Sequence, residues 1–246
     1  MKIFSKTDIG LLREENQDCV WSAMLSEGAC AAVLCDGMGG EAHGGLASSI
    51  AVDVISKRIT GTFSEMMNRN SVRNLLITAV SAANSAVVDA ARKEPEGAVM
   101  GTTCVAAIVS GRRAYIVNVG DSRGYHLFTS SDSECIQQIT KDHSHVRDLI
   151  DRGEITEEQA KVHPDRNKIT RAIGAEDTIT PDYFEIDLAD GDMFLMCSDG
   201  LSSYGDDMDI LDICFEYPAE EICGKLIDYA NGNGGNDNIS VALIAV

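Results

Sequence analysis

A chain of 246 residues, 44% of them hydrophobic, is long enough to bury a sizeable core, while 39 acidic against 20 basic residues, a net charge of -19 and a pI near 4.5 exclude a phosphate-backbone binder, which needs a basic stripe. Nucleic acid is therefore not an expected partner. The eight cysteines (19, 30, 35, 104, 135, 197, 214 and 223) form no C-x-x-C pair and several lie in apolar runs, which reads as free thiols of a reducing compartment rather than a disulfide frame or zinc site.

In chain order, MKIFSKTDIG lacks the apolar core of a signal peptide, and no run approaches the roughly 18 apolar residues of a membrane span, so the expected location is the cytoplasm, with no membrane partner. Apolar runs at 18–25, 29–35, 102–110, 114–120, 124–128, 183–188, 193–198 and 239–246 read as strands, several apolar almost throughout and so covered on both faces. Helical periodicity occupies 45–59 and 71–92, the latter with Leu75, Ala79, Ala82, Ala86 and Ala90 near one face. T-E-E-Q at 156–159 has capping-box form, and another helix is expected around Pro218, since proline is tolerated in a first turn. With no proline-rich linker or repeat, this is one α+β domain, sheets stacked as a sandwich with helices outside.

Acidic residues recur at strand ends. VLCDGMGG brings Asp36 to the end of an apolar run, where Gly37, Gly39 and Gly40 would turn the backbone sharply and leave a bare carbonyl as a possible ligand. A lone Asp-Gly is usually just a turn. The arrangement returns at Asp199 (MFLMCSDG), at Asp121 (YIVNVGDSRG) and at Asp237 (GGNDNISVALIAV). An oxygen-only set suits magnesium or manganese, and cations would relieve the repulsion among converging carboxylates.

These stretches resemble the metal-dependent protein serine/threonine phosphatases, the protein phosphatase 2C or PPM family, most of all its short bacterial members. The resemblance runs in order through GLLREENQD (10–18), LCDGMGG (34–40), GTTCVAAIV (101–109), VNVGDSRGY (117–125), ITKDHSHVRDLIDRGEIT (139–156), HPDRNKITRAIG (163–174), CSDGL (197–201) and GNDNISV (235–241). It implies a four-layer α-β-β-α sandwich of two antiparallel sheets, with a flap subdomain at about 142–171. It further implies that Asp36 bridges two Mn2+ or Mg2+ ions, that the Gly37 carbonyl completes one and that Asp199 and Asp237 hold the other. Asp121 with Asp199 would hold a third ion, Asp18 would act one layer out through water, and Arg13 would grip the substrate phosphate. A surface arginine paired with Glu14 or Glu15 is the other reading of Arg13.

The implied reaction is hydrolysis of phosphoserine and phosphothreonine on proteins by a metal-bridging hydroxide, with no phosphoenzyme. The implied partners are phosphorylated proteins and a cognate bacterial-type Ser/Thr kinase, and a monomer is expected. Gln17 stands where many members carry glutamate, and Met38 replaces the histidine of D-G-H-G-G, which leaves the general acid open between His43 and water.

Overall fold

The computed structural model describes residues 1–40, 43–94 and 99–246. Its strands are β1 (Lys2–Asp8), β2 (Asp18–Ser26), β3 (Ala29–Met38), β4 (Gly101–Thr102), β5 (Cys104–Ser110), β6 (Arg113–Val119), β7 (Arg123–Ser130), β8 (Ser133–Gln138), β9 (Asp182–Asp187), β10 (Met193–Cys197) and β11 (Ile239–Ala245). The helices are α1 (His43–Thr62), α2 (Arg69–Ala91), α3 (His145–Asp151), α4 (Glu157–Lys161), α5 (Asp199–Ser202), α6 (Asp207–Glu216) and α7 (Ala219–Gly232). One sheet runs β1-β11-β10-β7-β8; the other runs β2-β3-β5-β6-β9, with β4 added to β3, and the ladders are antiparallel.

The period of two explains why the central strands are apolar on both faces. Ala31, Val33 and Cys35 of β3 join Cys104, Ala106 and Ile108 of β5 under α1 and α2, while Cys30, Ala32, Leu34, Val105, Ala107 and Val109 face the other sheet. There they meet Phe194, Met196, Ala242 and Ile244, whose alternating neighbours Leu195, Cys197, Val241 and Leu243 lie under α6 and α7. Three apolar layers between four structural layers give the α-β-β-α sandwich. Each fully buried Ile or Leu, such as Ile55, Ile59 and Leu76, contributes about 1.5–3 kcal/mol relative to exposure.

By length and composition α2 would pass for a membrane span, contrary to the expectation that no segment would. Its buried face, from Val72 to Val87, packs into the core, and its buried Asn84 accepts from Gly174 N–H and donates to the Glu176 carbonyl. It is a core helix.

The structure adjusts several other expectations. The strand expected over 102–110 divides at Thr103, where the chain leaves Gly37 and Met38 of β3 and passes to Leu34. Thr156 and Gln159 form the capping box of α4, both halves present. Pro218 is the cap preceding Ala219 rather than a first-turn residue. The sequence pattern missed the edge strands β1 and β8, whose exposed positions weaken the alternation, and the helices α3, α5 and α6.

Candidate active site

Antiparallel pairing collects the acidic residues. The start of β2 lies opposite the end of β3, so that Asp18 and Asp36 are directly cross-strand, and the start of β11 lies beside the end of β10. Because β5 begins beside the end of β3 and β6 ends beside the start of β5, Asp121 follows at the same end of the sandwich. Asp199 is not the last strand residue but the first of α5, and Asp36 is two residues inside β3.

Gly37 is strand, paired with Thr102, and not the sharp turn expected. Glycine is required there for close approach: a Cβ would stand 2.1 Å from the Gly44 carbonyl oxygen and 2.5 Å from that of Gln17.

The cluster is buried and like-charged. Burial, then the fields of Asp18, Asp199 and Asp121, hold the Asp36 carboxyl well above the ordinary range, and Asp36 shares a hydrogen bond with Asp199. Burial first, then the nearby charge of Asp237, raises Asp199. Burial likewise pushes Asp18 to about 7 and Asp121 to about 8. Arg13 donates to Asp237 at 2.7 Å, not to Glu14 or Glu15, and its guanidinium also feels Asp199 and Asp36.

Several uncharged residues hold this arrangement, and the sequence reading passed over them. Asn238, 5% exposed, accepts from Gln17 N–H at 2.8 Å and donates to the Ile9 and Glu15 carbonyls at 2.9 Å each, so it binds the Arg13 loop to Asp237. Ser198 donates to Asp18 Oδ2 at 2.7 Å and accepts from Ser240 N–H. Thr103 Oγ1 accepts from Asp36 N–H at 2.9 Å and lies 2.7 Å from Ser122 Oγ, linking the Asp36 and Asp121 segments. Asn238 and Ser198 flank Asp237 and Asp199 in sequence, and that adjacency was their only signal; Thr103 has no acidic neighbour in the chain, and only the fold brings it to Asp36.

His43 opens α1 with Nδ1 2.6 Å from the Gly40 carbonyl oxygen and Nε2 3.3 Å from Glu94, so both ring nitrogens have partners. Burial pushes the Cys197 thiol up to about 12 and Cys223 to about 11, which leaves neither ready to act as a nucleophile. Beside the carboxylates a cavity of about 830 Å³ opens, lined by Asp121, Asp199, Tyr204, Arg147, Lys161 and Arg166.

The donor chemistry fits divalent cations. Asp18 Oδ1, Asp121 Oδ1 and Asp199 Oδ1 are buried without a hydrogen-bond partner, which is costly for acceptors unless something positive meets them. No three His, Cys, Asp or Glu side chains among the described residues already surround a common point as a closed ligand set. The fit rests on the oxygen-only donors, their burial and their unmet lone pairs.

Residues 13–239 match the family model described as protein phosphatase 2C. The serine/threonine phosphatase stp of Listeria welshimeri is 34% identical over 97% of this chain and 93% of its own length. The crystal structure of the serine/threonine phosphatase Stp1 from Staphylococcus aureus superposes with a TM-score of 0.89 at 33% identity, covering 100% of this chain and 94% of that one. The catalytic domain of the serine/threonine protein phosphatase PstP, solved in complex with two manganese ions, superposes with a TM-score of 0.80 at 34% identity, covering 98% and 96%.

Proposed function

Since this chain belongs to the protein phosphatase 2C family and is a protein serine/threonine phosphatase, we propose that it hydrolyses phosphoserine and phosphothreonine with divalent cations held by the strand-end aspartates. The observation that carries this reading is the convergence of Asp36, Asp121, Asp199 and Asp237, with Oδ1 of Asp121 and Oδ1 of Asp199 buried and unpaired. Asp36, the Gly37 carbonyl, Asp199 and Asp237 would hold two Mn2+ or Mg2+ ions, and Asp121 with Asp199 a third. Bound there, the cations would offset the charge of the carboxylates and lower the pKa of water for attack on phosphorus.

The chain's own residues do the rest. Arg13 spends Nη2 on Asp237, and the remaining donors of its fork hold phosphate oxygens in line for attack. Asp18, fixed by Ser198, orients water one layer behind. Protonation of the leaving alkoxide is assigned to water, because His43 already engages Gly40 and Glu94. Turnover of a phosphothreonine peptide should vanish with EDTA and return with Mn2+; turnover indifferent to chelation would sink the reading.

We also assign a flap role to residues 142–171, which contribute Arg147, Lys161 and Arg166 to the cavity. Exchanging residues 145–165 for another sequence should reorder preference among phosphopeptides while sparing an aryl phosphate; equal losses on both count against it. Action in the cytoplasm as a monomer, opposing a Ser/Thr kinase, completes the reading.

A further inference from the structure

His143 sits where the Asp121 turn, the base of the segment carrying α3 and α4, and β9 meet, and it is 7% exposed. Its backbone N–H donates to the Gly120 carbonyl at 2.9 Å, and its own carbonyl accepts from Thr170 N–H at 2.8 Å. Its ring Nδ1 accepts from Gly120 N–H at 3.0 Å. A nitrogen that accepts carries no proton, so the neutral ring is protonated on Nε2, which donates to Asp182 Oδ2 at 3.2 Å. Arg171 Nη1 lies 3.0 Å from that nitrogen but directs its two hydrogens to Asp182 Oδ1 at 2.7 Å and the Thr180 carbonyl at 3.3 Å, which holds the carboxylate in place and leaves the Nε2 proton to Asp182 Oδ2. Burial, the largest influence on this imidazole, lowers its pKa and agrees with the neutral form.

Gly120 is held from both sides. Its φ is +100°, and a Cβ there would meet Thr103 Cγ2 at 2.6 Å. Both of its backbone polar groups are bonded to His143, and the next residue is Asp121.

We propose that His143, as the Nε2-protonated tautomer, is a positioning residue for the phosphatase reaction: it sets the turn that presents Asp121 by closing two hydrogen bonds on Gly120. The functional half of this rests on Asp121 serving a cation; the positioning half does not.

Substitutions separate the two ends of the ring. In His143→Asn the amide oxygen stands where Nδ1 accepted, whereas in His143→Gln the amide reaches toward Asp182 and leaves Gly120 N–H without an acceptor. His143→Ala removes both. Amide exchange over residues 119–122 is measured in EDTA-treated protein, and Mn2+ binding is followed through the EPR signal of the free ion.

Asn is expected to keep Gly120 exchange within about threefold of the parent, while Gln and Ala accelerate it at least about tenfold and raise the Mn2+ concentration that fills the weakest site by a similar factor. A role confined to packing would lower thermal stability in all three without that order. Gln protecting Gly120 as well as Asn, or Ala leaving exchange unchanged, would overturn the positioning role. Ordered exchange with Mn2+ binding untouched in Gln and Ala would overturn its link to Asp121. An Asp121→Asn control with unaltered Mn2+ binding would instead refute the Asp121 assignment, and the exchange order would still decide whether His143 holds the turn.

Discussion

Replacing Asp36 by asparagine removes a carboxyl that burial and three neighbouring aspartates all oppose in its charged form. The folded pKa lies well above the value of 3.8 that the unfolded chain would show, so its contribution to stability is complete below about pH 4 and is lost as pH rises toward the folded pKa. At pH 7, about 3 units above 3.8, the cost is at most about 4 kcal/mol, and any relaxation of the site lowers it. Asparagine carries no such cost, and its amide can still donate to Asp199 as the protonated Asp36 does. In EDTA at pH 7 the variant should therefore melt above the parent, by up to about 15 °C, and the difference should shrink toward pH 4. With Mn2+ the order should reverse, because the parent gains ligation energy that the variant cannot, and kcat should fall at least about a hundredfold. Differential scanning calorimetry across pH, with EDTA and with Mn2+, reads all of this. A variant that is less stable than the parent in EDTA at pH 7, or equally stabilised by Mn2+, would refute the account of the cluster as mutually repelling carboxylates relieved by cations.

Arg13→Lys should lose at least about tenfold in kcat/KM on a phosphothreonine peptide, since a point charge cannot supply a planar fork; a near-native value would remove Arg13 from phosphate binding. Asn238→Ala orphans Gln17 N–H and the Ile9 and Glu15 carbonyls, so urea denaturation should show a loss of about 2–4 kcal/mol, and proteolysis should begin in the loop carrying Arg13; a loss under about 1 kcal/mol would count against the hub. Gly37→Ala places a methyl 2.1 Å from the Gly44 carbonyl oxygen, so it should destabilise by about 3 kcal/mol or more and disturb the helix start at His43, readable in Tm and near-UV circular dichroism. With saturating Mn2+, activity should climb between about pH 6 and 8 as the attacking water ionises, and a flat profile at a slow chemical step would contradict that nucleophile.

The central strands and the two long helices were legible because burial on both faces leaves long apolar runs in the strands and because apolar residues recur at helical spacing along α1 and α2. β1 was not: its exposed residues include Lys2, and it earns its place only by pairing with β11 along its whole length. The segment holding α3 and α4 showed a capping box yet no sign that its two ends would be stitched together at Ser144 and Ile169.

By itself the sequence determined the chemistry available: which carboxylates stand beside strand ends, that no thiol or histidine set competes for a soft metal, and that the surface repels nucleic acid. Tertiary structure decided which of those carboxylates meet, because only antiparallel register brings Asp18 opposite Asp36 and the start of β11 beside the end of β10. It also decided which neutral residues hold them, since Asn238, Thr103 and His143 act through backbone groups far away in the chain. A side chain's identity limits the bonds it can form, but the partner is chosen by where the backbone passes, and that follows from the packing of the whole sandwich.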